Sequence, residues 1–157
     1  MEGEDITVYT KNRFLIIESK IIKIREVISY ENIEAIILMH VNETYDNEML
    51  LFLSEGIEYE NTGKYFFHKI IYNIFLLFHK NKKMIRMSYS NNDLLLTLNE
   101  IKGNLSNVIV PNSLNKSLFW NEISDNYSLS QARLVFSKKN LSLSEVLKKY
   151  NKIRENE

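Results

Sequence analysis

The chain has no cysteine. This excludes a disulfide framework, a thiolate nucleophile and any cysteine-ligated zinc or cluster. It also fits a reducing compartment. Proline occurs once and glycine four times, at positions 3, 56, 63 and 103. No Gly-rich phosphate loop can be assembled from glycines so far apart, and there is no Pro/Gly-rich linker. Aspartate is confined to Asp5, Asp46, Asp93 and Asp125, none within two residues of another, and no serine sits in a nucleophile elbow. The opening residues, MEGEDITVYT, lack the basic start and apolar stretch of a signal peptide. A long hydrophobic run is missing too. The greasiest segment is KYFFHKIIYNIFLLFHK, residues 64–80, and only 70–78 of it is free of charge. A membrane span needs about 20 mostly apolar residues. The sequence therefore leads us to expect a cytoplasmic protein with no membrane contact.

What is present is ordinary globular material: 157 residues, 45% hydrophobic and 25% charged. A chain of this length buries roughly two-thirds of its unfolded surface, so it requires no metal or cofactor to fold. Formal net charge is zero, but the charge is unevenly laid out. Residues 1–63 carry 13 acidic and 5 basic side chains, whereas 64–110 carry 2 and 7. Such polarity steers charged partners.

Residues 5–60 read as strands: 6–9, 13–19, 20–29, 32–41 and 48–54, rich in Ile, Val, Leu, Phe and Tyr and separated by TKN, SYE and NETYDN. In 32–41, Ile33, Ala35, Ile37, Met39 and Val41 alternate with Ile36, Leu38 and His40. Connections this short suit antiparallel neighbours. The expected fold class is α+β: an antiparallel meander of five to seven strands with one long hydrophobic helix packed on it and a helical C-terminal third. The domain reading is 1–110 for sheet plus helix 64–80, and 111–157 for three short helices docked on the same domain.

On a helix over 64–80, the polar residues Lys64, His68, Lys69, Asn73, His79 and Lys80 gather on one side. Phe66, Phe67, Ile70, Ile71, Ile74, Phe75, Leu77 and Phe78 form a wide apolar face, expected to pack on the sheet. His68 and His79 share a side but lie about 16 Å apart at 1.5 Å per residue. No single metal ion bridges them. Residues 83–98 read as a hairpin around 90–93, although Leu94, Leu95, Leu98 and Ile101 also fit a helix beginning after Asn92 or Asp93. Residues 104–110 read as a short strand stopped at Pro111. Beyond it, Ser113 caps one helix, while Ser128-x-x-Gln131 and Ser142-x-x-Glu145 are capping-box patterns that open two more.

Three functional readings follow. The leading one is a non-enzymatic protein-binding module, specifically a bacterial immunity or inhibitor protein that neutralises a basic protein partner such as a nuclease toxin. Segment 41–63 carries Glu43, Asp46, Glu48, Glu55, Glu58 and Glu60 with no Lys, Arg or His. Tyr45 and Tyr59 are the anchors among these acids. The surface tyrosines and the apolar helix suit a homodimer as well. The alternative is a nucleic-acid-binding protein in which a helix-turn-helix-like C-terminal segment contacts nucleic acid through Gln131, Arg133, Lys138 and Lys139. A second alternative is a small metal-independent nuclease built on His40 with Glu43, or His68 with Lys69. No catalytic residue, metal ligand or cofactor is assigned.

Overall fold

Side-chain alternation and short turns build two four-stranded antiparallel sheets. The computed structural model describes residues 6–41, 47–79, 81–89, 91–111 and 130–154. The chain divides into two compact units, one made of 1–32 and 54–83, the other of 33–53 and 84–157. Each is assembled from two separate stretches of chain, with passages between the units after residues 32, 53 and 83.

The first unit holds β1 (Ile6–Lys11), β2 (Phe14–Ser19), β3 (Ile24–Ser29) and β6 (Glu58–Asn61) in the order β1-β2-β3-β6, with α1 (Phe66–His79) beside β6. Lys11 faces Phe14 across a two-residue turn. Asn12 takes a φ of 56° there, a left-handed conformation that Asn tolerates better than most residues. The stretch 20–29, expected as one strand, is split: Lys23 has a φ of 55° and β3 starts only at Ile24. Val8, Ile17, Glu26 and Tyr59 line up across the four strands, as do Thr7, Glu18, Arg25 and Glu60 on the opposite face.

The second unit holds β4 (Ile33–Val41), β5 (Asn47–Leu53), β7 (Met84–Tyr89) and β8 (Ser130–Ser137) in the order β7-β5-β4-β8. Residues 47–53 are all buried, because β5 is an inner strand with apolar side chains on both faces, as β4 is. One face forms a core of Ala35, Ile37, Leu50, Phe52, Met84 and Ala132 under Val146 and Leu147 of α3 (Leu143–Arg154). Each fully buried Leu- or Ile-sized side chain contributes about 1.5–3 kcal/mol. Helix α2 (Asn91–Asn104) packs against β5 and β7 and buries Leu94, Leu98 and Ile101.

The α+β class stands, in the form of two antiparallel sheets and three helices among the described residues. The single five-to-seven-strand meander does not. The long hydrophobic helix is four turns, 66–79, and its apolar face is not packed on the sheet. The helical C-terminal third also gives way. The expected helix after Ser128 is strand β8 over 130–137, because Ala132, Val135 and Phe136 are buried in pairing with β4. The helix expected after Ser113 lies outside the described residues. Of the open choice at 93–102, the helix is realised as α2. Of the expected strand at 104–110, Asn104 ends α2 and the rest is turn and coil, in which the Ile109 amide donates to the Val135 carbonyl. No described helix is long and apolar enough to cross a membrane.

Candidate functional site

Helix α1 is set in place by local chemistry. The Asn61 side chain accepts from the Gly63 amide at 2.8 Å. The imidazole of His68 accepts from the Tyr65 amide at 3.4 Å, satisfying a donor that precedes the first turn. A Cβ at Gly63 would overlap Cβ and Cγ of His68, so glycine is required by this close approach. Farther along, the Tyr72 hydroxyl donates to the Tyr59 carbonyl at 2.6 Å. The Phe75 ring meets Tyr59 edge-on, centroids 5.1 Å apart, and His79 stacks on Phe75 at 4.0 Å.

The inner stripe of α1 is therefore His68, Ile71, Tyr72, Phe75, Leu76 and His79. This overturns the sequence expectation, which placed His68 and His79 in water and the wide apolar face on the sheet. The polar edge wins because His68, Tyr72 and His79 bond backbone groups of the loop, of β6 and of the helix itself. Outward point Phe66 (78% exposed), Phe67 (65%), Ile70 (42%), Ile74 (51%), Leu77 (82%) and Phe78 (79%). At 100° per residue they occupy an arc of about 120°. Together they make a contiguous exposed apolar patch on the outer side of α1.

The described acidic residues of this segment are divided between the two units. Glu48 belongs to the second unit, where it is largely buried and accepts from Arg86 at 2.8 and 2.6 Å. Glu55, Glu58 and Glu60 are exposed on the first unit. Tyr59 is buried against α1, its hydroxyl has no hydrogen-bond partner among the described residues, and burial pushes its pKa up. It is a core residue of that unit, so it cannot serve as a surface anchor. Glu43, Tyr45 and Asp46 lie outside the described residues. What the sequence reading missed is Glu18 and Arg25. Arg25 donates to Glu18 at 3.2 Å and to Glu60 at 3.1 Å, and Tyr9 donates to Glu18 at 3.3 Å. Strand register, which the sequence does not print, brings these together. Glu60 is thereby partly neutralised.

The nucleic-acid candidates lose their helix. Gln131 and Arg133 lie on β8, and Lys138 is in the turn that follows. Lys139 pairs with Glu34 at 3.3 Å, as does Lys149 of α3. Of the nuclease candidates, His40 is on β4, Glu43 lies outside the described residues, His68 caps α1, and Lys69 is exposed on the same helix. Among the described residues no group of three or more His, Asp or Glu could hold a metal ion. The chain matches no family model, no curated protein and no solved structure.

Proposed function

We propose that this chain is a non-enzymatic protein-binding module whose contact surface is the outer face of α1. The observation that carries the reading is the exposure of Phe66, Phe67, Ile70, Ile74, Leu77 and Phe78 on one four-turn helix. Leaving them in water forgoes several kcal/mol of burial at ~25 cal/mol per Å², and aromatic anchors on a rigid element are what concentrated binding energy uses. A helix that presents residues at i, i+4 and i+7 matches the helix-in-groove mode of recognition.

A photo-crosslinking residue placed at Ile74 tests this in a lysate of the native cells. The expected result is a discrete crosslinked protein band at Ile74 and none at Leu96, a comparably exposed leucine on α2. Equal labelling at the two positions would overturn the assignment.

A basic effector as the target, the finer expectation, draws support from the exposed carboxylates of Glu55, Glu58 and Glu60 alone. Its test is the Glu55→Lys, Glu58→Lys, Glu60→Lys triple variant. Loss of a captured basic protein in that variant, with α1 intact, would move the contact surface to the sheet.

A further inference from the structure

We infer that the occupant of the α1 face is a second copy of this chain, its α1 laid antiparallel across a two-fold axis at the level of position 72. The inference rests on the reading of α1 as a contact surface and names its partner.

The six exposed apolar positions of α1 map onto one another when the helix is reversed, with residue type kept in two of the three exchanges. Reversing the helix about position 72 exchanges Phe66 with Phe78, Phe67 with Leu77 and Ile70 with Ile74. An antiparallel pair in that register sets phenylalanine against phenylalanine at both ends and isoleucine against isoleucine in the middle. Across a two-fold axis, if residue i touches j then j touches i, so in this register each exposed apolar side chain of α1 meets another of the same set. A surface shaped for an unrelated groove is under no such constraint.

The area is adequate. Taking roughly 200 Å² for a large aromatic or aliphatic side chain, the six exposed fractions leave about 800 Å² per copy. A standard stable interface buries about 800 Å² per partner. Apolar ends and a β-branched centre pack at the usual interhelical spacing of about 8–10 Å.

Charge separates this occupant from the others. Helix α1 has no acidic residue, and its lysine, Lys69, is exposed. By helical geometry Lys69 sits about 120° from the centre of the apolar arc. It stays in solvent when two copies meet. Two copies nevertheless bring cation near cation, so salt strengthens the pair by screening. An anionic membrane or an acidic protein groove would use the lysine as an attraction, and salt would weaken that association.

Sedimentation equilibrium on the full chain, from micromolar to sub-millimolar and at low and high salt, tests the inference. A monomer–dimer equilibrium that tightens with salt is expected. Ile70→Lys with Ile74→Lys should weaken it on the order of 100-fold or more. Leu77→Glu is the independent second variant, and a far-UV spectrum shows that both keep the fold, since all three side chains are already exposed. The chain's lack of cysteine permits a register test. On oxidation, a mixture of Ile70→Cys and Ile74→Cys proteins should give the 70–74 disulfide in preference to 70–70 or 74–74.

A dimer indifferent to these variants, or a preference for like-with-like disulfides, would overturn the pairing. So would a monomer that sediments with phosphatidylglycerol-containing vesicles at low salt. A monomeric wild type whose Ile74→Cys thiol is shielded from maleimide in lysate, but reactive once purified, overturns the second copy and leaves α1 as a contact surface. A thiol reactive in both settings overturns both readings.

Discussion

Two glutamates drawn out of water give opposite responses to pH. Glu34 accepts from Lys149 and from Lys139. The Lys149 hydrogen bond, ahead of a smaller opposing contribution from burial, holds its pKa below the usual carboxylate range. Its folded pKa lies below its unfolded one, so its contribution is complete above the unfolded value and is lost as pH falls through the folded one. Glu34→Gln should cost about 1 kcal/mol near pH 7, moderated by the lysines' exposure. Urea titrations should show wild type and variant converging at acid pH. Glu26 is the reverse case. Its pKa is raised by burial beside Tyr59, against weaker attraction to Lys82 and His79. Stability is then greatest at low pH and falls as pH rises from the unfolded toward the folded pKa. Glu26→Gln should raise Tm at pH 7 and leave it unchanged below about pH 3, a difference that thermal melts at the two pH values would show. Tyrosines offer a matched pair. Tyr72→Phe removes the bond to the Tyr59 carbonyl and should cost about 1 kcal/mol, whereas Tyr59→Phe removes a hydroxyl without a partner and should be neutral or stabilising. Equal losses in chemical denaturation would contradict the assignment. None of these environments is visible in the chain's letters. Glu26 and Glu34 look alike until register puts one opposite Tyr59 and the other beneath two lysines.

Legibility differs sharply from one element to the next. Strands β1, β2, β4 and β5 and helix α3 are readable from sequence, because alternation or a capping box coincides with packing. In α3 the Ser142 amide does donate to Glu145, at 2.7 Å. The same pattern at Ser128 and Gln131 misleads, since the run ARLVF gains more from pairing with β4 than a short helix would gain from its cap. Strand β6 escapes notice because its four residues show only one apolar position. Helix α1 is legible to within two residues of its ends, but the side it turns to the sheet is not. Helical periodicity separates a greasy side from a polar one, and only the usual habit of globular proteins says that the greasy side is covered. The contrary signals are His68 and Tyr72, hydrogen-bonding residues in the inner stripe, and the glycine five positions ahead of His68. Gly63→Ala tests the seating of α1. The added methyl should displace His68 and lower Tm by several degrees, and amide exchange in 64–70 should accelerate. If exchange there stays slow, the close approach does not anchor the helix.

On the scale of the whole molecule, the two units interleave along the chain. The inner strands of the second sheet, β4 and β5, come from residues 33–53, while its outer strands and both of its helices come from 84–157. A fragment of residues 84–157 lacks the inner strands and should give a disordered far-UV spectrum. A cooperative melt from that fragment would contradict the division. This arrangement is hidden from the sequence because no composition change marks it. The lone proline and the step in charge after residue 63 fall elsewhere, and pairing between residues about a hundred positions apart leaves no local trace.

Interleaving also bears on how such a chain can be inherited. A module encoded in one continuous stretch can be gained, lost or exchanged by a single recombination event. Here the passage between units occurs three times, after residues 32, 53 and 83. Any single crossover between the start of β1 and the end of β8 therefore splits at least one sheet between two parents. The face of α1 stays with its whole supporting sheet only when residues 6–79 are inherited together, and that stretch also carries β4 and β5 of the other unit.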